Sequence, residues 1–136
     1  MISIPPPFYR QQLGAAEACA WAQYVNMCLR ATAHDHVLRM APLFHLPIEH
    51  PAVALALLEE LVTQARFKGV ALAAGGLDGI DYADPALDPI WRMLDAAQAF
   101  VFLHPGRCCD GRLAPFYLEN LLGNPYETAV AATQLL

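Results

Sequence analysis

Five histidines are the side chains of this chain best suited to metal or acid–base chemistry, and His104 has the most informative position. It follows four consecutive apolar residues, 100–103, and precedes Pro105. Such a run is typical of a strand buried on both faces of a parallel sheet, and proline ends it because proline cannot donate to the ladder. Since α/β folds concentrate chemistry at the carboxyl ends of strands, His104 is the candidate ligand. A hydrogen-bonded core histidine is the alternative.

The other four histidines favour structural roles. His34 and His36 form an H-x-H pair that follows a predicted helix and precedes a predicted strand. That order places the pair at the amino-terminal edge of the sheet, opposite the expected site, so we interpret it as a solvated connector. His45 and His50 lie in the loop after a predicted strand, and His50 precedes a helix-starting proline. We favour a structural role for both.

Two further residues are predicted to contact a substrate. Phe44 ends the second predicted strand, and Arg107 lies in the loop that follows His104. Arg107 and the nearby Arg112 each carry a planar guanidinium, a group that binds carboxylates well. The alternative is that both are ordinary surface charges.

Three other patterns carry little chemistry. Gly75-Gly76 follows a strand but does not form G-x-G-x-x-G, which disfavours dinucleotide binding. The spaced aspartates lack the register of a calcium loop, and the adjacent cysteines lack an identifiable histidine–carboxylate partner. These residues are Asp78, Asp81, Asp84, Asp88, Cys108 and Cys109.

The elements that must position these side chains alternate along the chain. Apolar periodicity and Gly/Pro punctuation predict four strand–helix pairs at intervals of about 30 residues, the size of one βα unit. The predicted strands span residues 1–4, 37–44, 70–74 and 100–104, and the helices span 14–33, 51–65, 88–97 and 124–136. An amphipathic segment is expected within the loop at 113–122. Right-handed crossovers would place the strands side by side in a parallel sheet with the helices outside.

Composition limits the partners. The chain has 136 residues and a formal net charge of -5, with no basic stripe, so we expect no nucleic-acid partner. No apolar run approaches the roughly 18 residues of a membrane span. The four cysteines lack C-x-x-C spacing, which favours a reducing cytoplasm over a disulfide framework.

Two folds accommodate this pattern: a small open α/β domain, or part of a (β/α)8 TIM barrel, which needs about 250 residues when complete. The chain begins within a predicted strand, and its last helix ends on Leu135-Leu136 without a glycine cap. We therefore expect residues 1–136 to form a single partial barrel of about four βα units, truncated at both ends.

Several segments resemble one family in order and spacing. They are 101–105 (VFLHP), 112–121 (RLxxFYLxNL), 123–128 (GNPxET), Ser3-x-Pro5-Pro6, Asn26, 41–43 (APL) and 67–70 (FKGV). Together they resemble the amidohydrolase-related metal-dependent family that includes aminocarboxymuconate-semialdehyde decarboxylase and γ-resorcylate decarboxylase. The resemblance covers nearly the whole chain.

The resemblance implies a distorted (β/α)8 barrel that holds one divalent metal, usually zinc. The family's ligands are an H-x-H pair on the first strand, a histidine after the fifth and an aspartate after the eighth, with a catalytic histidine from the sixth. His104 matches the ligand after the fifth strand, and the others have no counterpart here. The implied activity is decarboxylation, or hydrolysis, of a small carboxylated substrate of aromatic or muconate type. With one ligand, this polypeptide alone should bind metal poorly and turn over nothing.

Two other functions stay open. The chain is alternatively a non-catalytic remnant, or a half-domain that depends on a partner. A complete flavodoxin-like binding module is a third possibility, although the phosphate loop after its first strand is missing. Because half a barrel leaves strand edges and interior layers uncovered, we also expect poor solubility or a homo-oligomer that pairs open edges.

Overall fold

A parallel sheet with helices on one side forms the framework. The structure is a computed structural model that describes residues 1–75, 80–108 and 110–136. Its strands are β1 (Phe44–His45), β2 (Gly69–Gly75) and β3 (Phe100–Arg107). Its α-helices are α1 (Ala15–Asp35), α2 (Pro51–Val62), α3 (Asp88–Ala96) and α4 (Asn124–Gln134). Short helical turns cover Pro6–Phe8, Pro85–Leu87, Gly111–Leu113 and Pro115–Tyr117, and a π-helical turn covers Glu119–Gly123.

The sheet order is β1-β2-β3, with both pairings parallel. Consecutive parallel strands joined by helical crossovers are the building units of a (β/α)8 barrel. Within the described residues the sheet remains open, and the fold is a partial barrel. Within those residues, no helix is both long enough and apolar enough to cross a membrane.

The two faces of the sheet differ in chemistry, because residues that pair across strands, or lie two apart along one, share a face. The helix-facing side packs Phe44, Val70, Leu72 and Ala74 against the helices in the main hydrophobic core. The register places the following residues on the opposite side, which we call the inner face: His45, Ala71, Ala73, Phe100, Phe102 and His104.

Asn26 of α1 replaces a strand partner for β1. Its side-chain amide donates to the carbonyl oxygen of His45 at 2.9 Å and accepts from the amide N–H of the same residue at 2.7 Å. The side chain is buried, so both backbone groups of His45 are paired away from water. This contact fixes the position of α1 against the edge of the sheet.

Some predicted strands are shorter than expected. The first is reduced to an isolated parallel bridge between Ile2 and Pro42, with Leu43 N–H donating to Ile2 O at 2.8 Å. The second keeps only Phe44 of its predicted range and gains His45, because the residues before it form a turn in which Met40 N–H donates to His36 O. The strand at 100–104 is longer than predicted and continues through Pro105, which is tolerated at the edge of a sheet.

The segment at 113–122 folds as a series of short turns rather than one helix. Phe116 and Tyr117 have φ of 57° and 62°, a left-handed conformation that interrupts a regular helix. The predicted roles of Gly76, Asp78 and Cys109 fall outside the described residues.

Candidate metal site

His104 lies on the inner face, near the carboxyl end of β3. Its Nδ1 is 2.9 Å from the carbonyl oxygen of Pro105, a contact in which an Nδ1–H would donate. Metal-binding histidines commonly donate one ring N–H to a carbonyl, which fixes the tautomer and leaves the other nitrogen for the metal. In this tautomer, Nε2 of His104 carries the free lone pair.

A row of rings in tilted and edge-on contact extends from His104 across the inner face. The ring of Tyr9 lies 6.2 Å from that of His104 and 5.5 Å from that of His45, between centroids. Phe102 approaches His104 edge-on at 5.5 Å. Tyr9 therefore lies between the two histidines and links the N-terminal segment to both β1 and β3.

Buried polar atoms without partners occur on two of these rings and on a nearby carboxyl group. In the described part of the chain they are Tyr9 Oη, both ring nitrogens of His45, and Glu49 Oε1. His45 is 2 % exposed, and Tyr9 is equally buried. Buried polar atoms normally have hydrogen-bond partners, so unpaired ones in one location mark an unusual site. Tyr82 Oη nearby donates to Ala73 O and is paired.

Burial decides the charge of these groups. It raises the pKa of Tyr9 to about 12 and lowers that of His45 to about 4. The pKa of Glu49 is raised by burial, against smaller opposing effects of its own backbone hydrogen bond and of His50. Burial also raises the pKa of Tyr82, with further contributions from Tyr9 and Glu49. At neutral pH, His45 and both tyrosines are therefore uncharged, because low-dielectric surroundings disfavour their ionised forms.

The two residues predicted to contact a substrate differ in exposure. Phe44 is 2 % exposed on the helix-facing side, where its ring stacks with Phe67 at 6.3 Å between centroids. Adjacent strand residues point to opposite faces, so Phe44, which pairs with Val70, lies on the face opposite His104. Its contact with a substrate stays a prediction. Arg107 is exposed at the end of β3 and lines a cleft of about 570 Å³ at the inner-face mouth.

Three of the other four histidines lie in the positions predicted from the sequence, and His45 does not. His34 and His36 are exposed at the end of α1, before β1. His50 contacts Leu13 O through Nε2 at 2.8 Å, a structural hydrogen bond between two loops. His45, expected in a loop, is instead part of β1 and faces inward.

Residues of the N-terminal segment were missed by the sequence reasoning. Pro6, Pro7, Tyr9, Arg10, Gln11 and Gln12 line the cleft together with Gly106 and Arg107. Gln11 holds this segment in place, since its Nε2 donates to Gly75 O at 2.8 Å. A loop after three prolines shows no periodicity, so only the clustering of polar and aromatic side chains there could have indicated it.

The described residues fit a metal only in part. His104 presents a suitable imidazole nitrogen, but no group of three or more His, Cys, Asp or Glu side chains able to hold an ion occurs in the described ranges. A catalytic zinc site usually takes three protein ligands. His104 would therefore supply one of the three ligands that such a site needs.

The amidohydrolase family profile matches residues 6–136. The chain belongs to the amidohydrolase family. A curated relative, 2-amino-3-carboxymuconate-6-semialdehyde decarboxylase of Dictyostelium discoideum, is 23 % identical over 137 aligned residues, which cover 100 % of this chain and 38 % of the relative. This chain thus spans less than half of the relative, and the predicted family resemblance is confirmed.

Solved structures agree on the fold. The 5-carboxyvanillate decarboxylase of Sphingomonas paucimobilis matches with a TM-score of 0.84 and 24 % identity over 99 % of this chain and 41 % of its own. The enzyme of the same name from Novosphingobium aromaticivorans matches with a TM-score of 0.80 and 19 % identity over 96 % of this chain and 38 % of its own, and was solved with manganese and 4-hydroxy-3-methoxy-5-nitrobenzoic acid. The predicted partial barrel is confirmed. Family members bind a divalent metal, manganese in this case.

Proposed function

We propose that this chain is part of a metal-dependent decarboxylase of the amidohydrolase family and that His104 supplies one of its metal ligands. The observation that carries the proposal is the imidazole on the inner face, with Nδ1 close to the Pro105 carbonyl and Nε2 free. The described residues provide no complete ligand set, so the other ligands would come from polypeptide beyond these residues.

The chain's own residues would bind and orient the substrate. With the proton on Nδ1, the Pro105 carbonyl would orient the His104 ring, and the Tyr9 ring lies beside it at 6.2 Å between centroids. Arg107 lies at the mouth of the cleft, where a guanidinium can pair with a substrate carboxylate. The metal, when bound, would supply a Lewis acid that polarises a carboxylate or hydroxyl oxygen of the substrate. Zinc is the metal we propose, with manganese as the alternative.

The reaction we propose is cleavage of a carbon–carbon bond with release of carbon dioxide from a small aromatic or muconate-like carboxylate. The matched relatives named above are decarboxylases, which supports this choice over hydrolysis of an ester, lactone or amide.

The test compares two polypeptides: the 136-residue chain, and a longer product that includes the coding sequence on both sides. Each is loaded with Zn²⁺ or Mn²⁺, assayed for metal content, and tested with 5-carboxyvanillate and 2-amino-3-carboxymuconate 6-semialdehyde. We expect the short chain to retain little metal and to be inactive, and the longer product to bind about one ion per chain. In the longer product, His104→Gln should lower metal content, whereas the exposed His36→Gln should not.

Robust decarboxylation by the short chain would contradict the proposal, as would unchanged metal content in His104→Gln. The second candidate function is a non-catalytic, partner-dependent half-domain. The described ranges contain no group of three or more His, Cys, Asp or Glu side chains that could hold an ion, which favours this candidate. A longer product that also lacks metal and activity would support this second candidate and overturn the first.

A further inference from the structure

The cleft between the N-terminal segment and the end of β3 has an unusual charge. Its walls are formed by Pro6, Pro7, Tyr9, Arg10, Gln11, Gln12, Gly106 and Arg107, around a volume of about 570 Å³. Two of these residues are arginines and none is acidic, although the whole chain has a formal net charge of -5. The cleft is thus a local positive region on an acidic protein, and local potentials of this kind attract anions.

Arg10 is held in place by aromatic residues. Its guanidinium carbon lies 4.1 Å from the centroid of the Trp21 ring, within the range of a cation–π contact. Trp21 is itself fixed, because its Nε1–H donates to Phe8 O at 2.7 Å and its ring stacks with Phe8 at 6.1 Å. A guanidinium restrained in this way loses less entropy when it binds a ligand.

The backbone at Arg10 is also unusual. Its φ of 49° lies in the left-handed region, which is uncommon for residues other than glycine, asparagine and aspartate. Such conformations recur at ligand clamps and other functional sites. The contact of Gln11 with Gly75 O holds the next residue against the sheet, so Arg10 lies between two anchored neighbours, Tyr9 and Gln11.

Among the described residues, neither Arg10 nor Arg107 has an ion pair that would neutralise its charge. Both are exposed at the mouth, while Pro6 and Pro7 add apolar surface to the wall. Two arginines that line one cleft beside apolar surface suit a planar ring that carries carboxylates, because arginine binds a carboxylate with two parallel hydrogen bonds.

We propose that the Arg10–Arg107 cleft binds the carboxylate groups of an aromatic dicarboxylate, with Arg10 as a specificity-determining residue. The identity of this ligand as a substrate or product rests on the proposed decarboxylase function. Binding of the carboxylates does not, since it requires no metal.

The test is calorimetric titration of the 136-residue chain, in the presence of EDTA, with isophthalate, benzoate and neutral benzamide. We expect isophthalate to bind more tightly than benzoate, benzamide not to bind, and the affinity for isophthalate to fall as salt is raised. Arg10→Gln and Arg107→Gln should each weaken isophthalate binding about tenfold, the usual effect of removing one charged hydrogen-bonding partner.

The matched control is Arg39→Gln, an exposed arginine in the connector before β1 and outside the cleft, which should leave the affinity unchanged. Circular dichroism checks that each variant folds, and Arg107→Gln decides alone if Arg10→Gln does not fold. The proposal is overturned if the folded cleft variants bind isophthalate as well as Arg39→Gln does, or if benzamide competes equally. Because EDTA removes metal, either result leaves the test of His104 unaffected.

Discussion

His104 and His45 share the inner face of the sheet but differ in what surrounds them. His104 is half-buried, with one nitrogen near the carbonyl of Pro105, while His45 is buried with both nitrogens unpaired. A half-buried imidazole with one committed nitrogen suits metal binding. An imidazole as deeply buried as His45 stays neutral and instead makes stability depend on pH. Burial thus separates the proposed metal ligand, His104, from His45, whose burial links stability to pH.

His45 should reduce stability at acidic pH. Its pKa is about 4 in the folded chain and 6.5 when exposed, so between these values the unfolded state binds the proton that the folded state excludes. The free energy of unfolding therefore falls as pH drops from 6.5 to 4, by about 3 kcal/mol from this group. Urea unfolding across this range should show the slope in the wild type and lose it in His45→Gln.

Glu49 acts in the opposite direction. Its pKa is raised, so protonation in the folded chain adds stability as pH falls below that value. Because Glu49 is present in both proteins, its contribution cancels in the difference between wild type and His45→Gln. Parallel stability curves for the two proteins would show that His45 is not responsible for the acid sensitivity.

At the scale of elements, Asn26 joins α1 to β1. Replacing it with alanine leaves the N–H and C=O of His45 unpaired in a buried site, which should cost about 2–4 kcal/mol of unfolding free energy. Asn26→Asp keeps the acceptor and loses the donor, and should also destabilise. Asn120→Ala removes an exposed amide whose partner is Asn124, and should change stability by less than about 0.5 kcal/mol. Urea midpoints for Asn26→Ala and Asn120→Ala that coincide would refute this role of Asn26.

Periodicity predicted the helices and β2 well, because their apolar stripes are long and their ends carry proline or glycine. It failed before β1, where Val37 and Leu38 looked like strand residues. Leu38 is 96 % exposed, so that apolar run is a turn. The length of β1 depends instead on Asn26 and on pairing with β2, contacts that a local pattern does not contain.

The site was predictable only in part, for a related reason. His104 could be singled out because it follows four consecutive apolar residues. The side of the sheet that Phe44 faces follows from its register with Val70, which the sequence does not reveal. Tyr9 and Arg10 belong to a loop without periodicity, and their proximity to β3 depends on long-range contacts such as that of Gln11 with Gly75.

For the whole molecule, the inner face decides the expected behaviour in solution. Complete barrels fill their interior with layers of side chains from alternate strands. Here Phe100 is 48 % exposed, and a groove of about 350 Å³ runs between Phe100 and Phe102 and the N-terminal residues Met1, Ile2 and Ser3. Within the described residues, no strand pairs with the free side of β3. An open edge beside exposed apolar surface favours association between chains.

We therefore expect the 136-residue chain to self-associate, with a molar mass that rises with concentration in size-exclusion chromatography with light scattering. Phe100→Lys places a charge on the inner face and should shift the chain towards monomer. Phe116→Lys is the matched control, because Phe116 is 87 % exposed in the turns after β3 and should not affect association. If Phe116→Lys dissociates the chain as much as Phe100→Lys, the interface lies elsewhere. A wild type that stays monomeric at all concentrations would refute the predicted self-association.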